Sequence, residues 1–148
     1  MLVTNALEAI EAVRQRYPEL AWYGFGMAPW SQEPFEMHRA AMTESGEVVQ
    51  FLRGVEWLAQ VEQTARINRR RHSYDWKHVA ERWHMCKRRG NYYIAEGMFI
   101  AAAVHLGFQI QRMPNTTSVW LNIPTACDNE PPRVCRRLFG LSHAAMAG

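Results

Sequence analysis

The clearest periodic signal in the chain is Trp76, Val79, Ala80 and Trp83, spaced i, i+3, i+4 and i+7 as one buried helical stripe. Ser73 can cap this helix and Asp75 suits its positive N-terminal end. The pattern predicts a helix over 74–85 with Lys77, His78, Glu81 and Arg82 facing outward. Leu7, Ile10, Val13 and Tyr17 repeat the spacing after an Asn5–Glu8 cap pair, which predicts a helix over 5–17 closed by Pro18. Val48, Phe51, Leu52, Val55, Leu58 and Ala65 form a longer stripe behind caps at Thr43 and Ser45, with Glu62 and Arg66 as an i, i+4 pair. This is the expected core spine, 46–66. Gly54 inside it costs about 1 kcal/mol relative to alanine and marks close packing. From Met98 to Val104 the chain is apolar on every side, so a helix over 97–106 belongs at the centre of the core. Gly107 and Phe108 are placed to close it with a Schellman cap.

Elsewhere the period falls to two. Phe108 and Ile110 alternate with glutamines, and Val119, Leu121 and Ile123 alternate with Trp120 and Asn122. Met113 to Thr117 between them is turn chemistry, so a β-hairpin is expected over 108–123. Tyr92–Ile94 suits a short strand after a turn at Lys87–Asn91. Residues 21–35 hold five aromatics among Gly and Pro and read as a loop whose rings either clasp the core or make a stacking platform for bases. The fold class is therefore α+β: a mainly helical single domain over 1–123 with a C-terminal β-hairpin. The N-terminal helix and aromatic loop (1–42) precede the core (43–123). A Pro- and Arg-containing extension (124–148) carries a short helix near 132–139. Helix, helix, helix, hairpin is the order of a winged helix, but the third helix is too apolar to read a groove.

Composition adds limits. Apolar residues at 48% exclude a wholly disordered chain, and no apolar run approaches the roughly 18 residues of a membrane span. Acidic residues stand near the amino terminus where a signal peptide would carry lysines, so no export is expected. Three cysteines, odd in number and not closely paired, point to free thiols in a reducing cytoplasm.

Charge changes the picture most. The net charge of +3 conceals −5 over residues 1–65, +7 over 66–90 and +1 over 91–148. A basic block in an otherwise acidic chain is an electrostatic footprint for an anion, unless it is only a solvated loop.

Ser73-Tyr74-x-x-Lys77-His78-x-Ala80-Glu81, then Gly97-x-Phe99-Ile100-Ala101-Ala102-Ala103 and Gly107-Phe108, resembles a pattern of uncharacterised small proteins of phages, plasmids and integrative elements, over residues 67–123. The resemblance implies a mobile-element origin and brings no catalytic residues. It implies a DNA-associated accessory or an inhibitor of host defence, anti-CRISPR proteins included, working in the host bacterial cytoplasm.

His72, His78, His84 and Cys86 lie close in sequence but lack CxxC, HxxxH or HExxH spacing, so neither metal nor cofactor is expected. No enzyme is expected either. The runner-up is a small metal-independent nuclease using His72 or His78 as acid or base. What remains is a binding surface of Arg69, Arg70, Arg71, His72, Tyr74, Lys77, Arg82, Lys87, Arg88, Arg89 and Tyr92. Arginine forks suit phosphate or carboxylate, and tyrosines suit stacking or interface anchoring. The helix joining the two basic runs spans about 18 Å, which puts both on one face. The expected partner is a host defence protein or nucleoprotein complex, with direct DNA or RNA binding as the alternative and no membrane. The expected role is a non-enzymatic counter-defence inhibitor.

Overall fold

A computed structural model describes residues 3–26, 31–87 and 90–128. Arg88, Arg89, Trp30 and the helix expected near 132–139 lie outside them.

The chain runs α1 (Val3–Arg16), β1 (Leu20–Ala21), β2 (Gly24–Phe25), α2 (Phe35–Ala40), a 3-10 turn (Ala41–Thr43), α3 (Ser45–Leu58), β3 (Asn68–His72), α4 (Ser73–Cys86), α5 (Glu96–His105), β4 (Ile110–Arg112), β5 (Val119–Leu121) and a final 3-10 turn (Thr125–Asp128). It is a mixed α+β fold in which helices pack around α5, with two small antiparallel sheets. Every residue of α5 from Glu96 to Val104 is buried, as its unbroken apolar run requires. The most extensive packing is α3 on α5, where Gly54 brings the helices together: a Cβ there would stand 3.0 Å from the Ala102 methyl. The Schellman cap also forms, with Phe108 N–H donating to Ala103 O (2.9 Å) and Gly107 N–H to Val104 O (3.0 Å) at a Gly107 φ of +86°.

From α3 onward the order is helix, strand, two helices and hairpin, with β3 paired antiparallel to β5 and β4 on the other side of β5. This order places a strand between the first two of the three helices expected for a winged helix. Its third helix, however, is covered by α1, α3, α4 and the β1–β2 hairpin, so α5 offers nothing to a groove.

Four expectations are corrected. The spine helix ends at Leu58, not 66, and Ala65 is exposed. Buried Asn122 captures the chain beyond it: its Nδ2 donates to Gln63 Oε1 (3.2 Å) and Thr64 O (3.0 Å), while Thr64 N–H donates to Asn122 O (3.0 Å). Residues 92–94 are not a strand, because side chains satisfy their backbone. Ile94 N–H goes to Glu81, Ala95 N–H to Gln50 Oε1 and Tyr93 O to Arg53. The arginine loop is strand β3. Finally, residues 35–40 form helix α2. Its Arg39 clasps the end of α1 by donating to Arg14 O, Tyr17 O and Leu20 O.

The aromatic stretch divides between its two readings. Phe25 enters the core, whereas Trp22 and Tyr23 turn towards an open cleft. Residues 125–128 pack on α4 and β3 with Cys127 buried, so the described body continues past Ile123. Among the described residues no helix is long and apolar enough to cross a membrane.

Candidate binding cleft and arginine bulge

Strand alternation would turn one of Arg69, Arg70 and Arg71 inward. The register prevents this. Asn68 pairs with Leu121 and His72 with Trp120, so the three arginines bulge out between two adjacent residues of β5. All three are exposed. Arg69 is oriented by a guanidinium stacked over Trp120 (5.5 Å) and by donation to Gln111 Oε1 (2.9 and 3.2 Å). Asn68 Oδ1 accepts the Arg70 N–H at 3.0 Å and so braces the start of the bulge.

The bulge ends at His72, on the rim of a cleft of about 500 Å3. The cleft lies between the β1–β2 turn (Trp22, Tyr23), the N-terminal half of α4 (Tyr74, Lys77, His78), the entry to α5 (Tyr93, Glu96) and the end of the β4–β5 loop (Thr117, Ser118). Two glycines bring these pieces together. Gly97 N–H donates to Trp22 O at 2.8 Å, and a side chain at Gly97 would overlap the Ala21 and Trp22 carbonyls. Gly24, at φ +128°, sits where a Cβ would come 2.9 Å from Thr117 Cβ. His38 then fixes the Trp22 ring: indole Nε1–H donates to His38 Nδ1 (2.9 Å), which leaves Nε2–H to meet Ser31 Oγ (2.7 Å).

Expectation and structure part at Lys77 and Glu81. Both are buried, not outward, because residues 91–95 return across that side of α4. Glu81 Oε2 accepts from Lys77 Nζ (3.2 Å) and from Ile94 N–H (2.9 Å), while Oε1 meets His78 Nδ1 at 2.7 Å. A carboxylate can only accept, so Nδ1 carries a proton, and in the neutral ring Nε2 of the half-exposed His78 is an acceptor on the cleft wall. Lys77 Nζ lies 5.3 Å from the Tyr74 ring centroid and 4.6 Å from that of Tyr93, so one buried ammonium holds both rings.

A second network lies deeper. Ser73 Oγ accepts Val119 N–H (2.9 Å) and donates to Glu96 Oε1 (2.8 Å). Burial raises the Glu96 carboxyl above its ordinary pKa, against the opposing pull of the Ser118 and Ser73 hydroxyls and of His72 and Lys77. Burial also raises the Tyr93 phenol, helped by Glu81 and Glu47.

The expected surface is thus only partly assembled. Arg69, Arg70, Arg71, His72 and Tyr74 are contiguous at one end of α4. Arg82 is exposed, and i+4 spacing puts it on the Tyr74–His78 side of the helix, with exposed Met85 beyond. Lys87 lies at the far end, about 20 Å along α4 from His72, with its Nζ 4.5 Å from the Trp83 ring. Tyr92 is exposed. His72 doubles as the N-cap of α4, in a capping box with Asp75. Trp22 and Tyr23 come to the cleft from the aromatic stretch and Tyr93 from beside the second basic run, whereas no motif marks Ser73, Glu96 or Ser118. The sequence holds one further signal, the spacing of Lys77, His78 and Glu81, which by itself reads as a solvated face.

Among the described residues no group of three His, Cys, Asp or Glu side chains is placed to hold a metal ion. The chain matches no protein-family model, no curated protein and no solved structure.

Proposed function

We propose that this chain is a non-enzymatic binding protein that docks through the arginine bulge and the adjoining cleft on a host protein–nucleic-acid complex and obstructs it. One observation carries the reading: three consecutive guanidiniums are held outward by a register shift, beside aromatic rings at the mouth of a cavity. Such a bulge forgoes ladder hydrogen bonds, and its result is a dense cationic surface suited to phosphate. The exposed Tyr74, Met85 and Tyr92 support a protein component of the target, since tyrosine and methionine are enriched at interfaces. The counter-defence role comes from the resemblance to mobile-element proteins. The test is affinity capture from host lysate with the full chain and with R69A/R70A/R71A, before and after nuclease treatment. One protein–nucleic-acid complex retained by the wild type and lost with the triple variant is the expected result. Equal capture by both proteins contradicts the proposal.

A second reading, metal-independent phosphodiester cleavage, is favoured by the Glu81–His78 contact, which leaves Nε2 oriented as a base. Cleavage of labelled RNA or DNA that disappears in His78→Ala would replace the first reading with this one.

A further inference from the structure

We infer that the cleft seats one unstacked nucleobase of a single-stranded nucleic acid whose phosphates lie along the arginine bulge. The inference rests on the docking reading above and names the chemistry recognised there.

Charge separates the two parts of the ligand. The lysine in the cleft wall is already paired with Glu81, and Glu96 lies beside it, so the interior is not a phosphate site. The exposed positive charge stands outside, on Arg69, Arg70 and Arg71, and reaches the rim at His72. A ligand matching this arrangement carries its anionic groups outside and a neutral, planar group inside. A nucleic-acid strand does so, with its backbone and base respectively.

The interior suits a base. Its volume of about 500 Å3 lies within the range of small-ligand sites. Tyr74 and Tyr93 stand at its mouth 49% and 47% exposed, so both rings are open to a planar ligand. Their common contact with Lys77 orients both before a ligand arrives, which reduces the ordering cost of stacking. Beyond the rings the wall offers His78 Nε2, the Ser118 hydroxyl oxygen and the Glu96 carboxyl, whose pKa burial raises. These few polar groups beside the aromatic rings suit the edge of a base. A base inside a duplex cannot reach such a cavity without leaving its stack, and buried α5 gives duplex DNA no groove-reading helix.

The test is fluorescence anisotropy on the full chain with three labelled probes: a short single-stranded oligonucleotide, an abasic strand of the same length and charge, and the corresponding duplex. DNA and RNA versions of the first probe show which sugar is preferred. The base-bearing strand is expected to bind about five- to 150-fold more tightly than the abasic strand, the range for stacking one base. Tyr93→Ala removes a half-exposed ring and is expected to reduce that preference at least several-fold; Tyr93→Trp is expected to retain it. R69A/R70A/R71A is expected to weaken both strands alike. Equal affinity for base-bearing and abasic strands, with binding still lost in the arginine variant, overturns the base seat and leaves the docking reading standing. An effect of Tyr93→Ala on capture of the protein complex alone assigns the cleft to a protein side chain and overturns the seat. Failure to bind any strand overturns the seat and counts against docking through nucleic acid.

Discussion

Gly97 is where α5 meets the β1–β2 hairpin that walls the cleft, and replacing it with alanine tests how the two are joined. The added methyl would overlap the Ala21 carbonyl oxygen and stand 2.5 Å from the Trp22 carbonyl carbon, both backbone atoms that no rotamer change can move away. Either the β1–β2 hairpin lifts or α5 shifts, and the Gly97–Trp22 hydrogen bond of 2.8 Å is lost in either case. Overpacking costs about 1–3 kcal/mol and the hydrogen bond about 1 kcal/mol, so about 2–4 kcal/mol is expected in total. For a chain of this length that lowers the melting temperature by about 5–15 °C. Trp22 moves with the hairpin, so its fluorescence environment and the cleft should change together. Gly46→Ala is the control, because Gly46 lies in α3 with no heavy atom within 4 Å of an added Cβ. Its expected effect is neutral, or stabilising by up to about 1 kcal/mol. Thermal unfolding followed by circular dichroism reads both variants. If Gly97→Ala melts with the wild type, the hairpin is not seated against α5 as described.

The buried Lys77–Glu81 pair gives a second expectation: Glu81→Ala strands the ammonium and the Ile94 N–H and should cost about 3–5 kcal/mol by urea unfolding, whereas K77M/E81L should cost clearly less. Asn122→Ala leaves the Gln109 N–H without its acceptor and the Thr64 carbonyl without its side-chain donor, so a loss of about 1–3 kcal/mol per orphaned group is expected in the same assay. Glu96 has a raised pKa in the folded state, so the fold binds its proton more tightly than the unfolded chain does, and this stabilisation is lost as pH rises from the ordinary glutamate value through the folded one. Glu96→Gln should therefore gain stability relative to wild type as unfolding is measured at successively higher pH across that window; a constant difference contradicts the assignment.

How much of this was legible in the sequence follows from which interactions were local. The cores of α4 and α5 were, because the apolar spacing from Trp76 to Trp83 and the unbroken run from Met98 to Val104 leave no other burial. The Gly107 cap and the β4–β5 hairpin were legible for the same reason. Lys77 was misread because a residue's outward position on an isolated helix says nothing about a segment that returns over it, here 91–95. The end of α3 was misread because Asn122, distant in sequence, takes the backbone that would have continued the helix. The arginine run was recognised as basic but not as a bulge, since register against β5 is a tertiary property. The cleft was not legible: its rings and carboxyl come from Trp22, Tyr74, Tyr93 and Glu96, on separate segments with no shared motif.

The central claim is that the outward arginines exist for contact with a polyanion, and the salt dependence of binding tests it most directly. The affinity of wild type and R69A/R70A/R71A for a single-stranded oligonucleotide is measured across a salt series, with unfolding measured alongside. Each exposed side chain contributes about 0.5 kcal/mol, with the Arg69 contacts to Trp120 and Gln111 on top, so the variant should lose no more than about 2–3 kcal/mol and stay folded in the binding assay. The log–log slope of wild type should be steeper by about 0.7 for each phosphate contact removed, hence by about 2 for three arginines. Equal slopes and equal affinities in two folded proteins would contradict the claim, leaving the basic bulge as solvated surface.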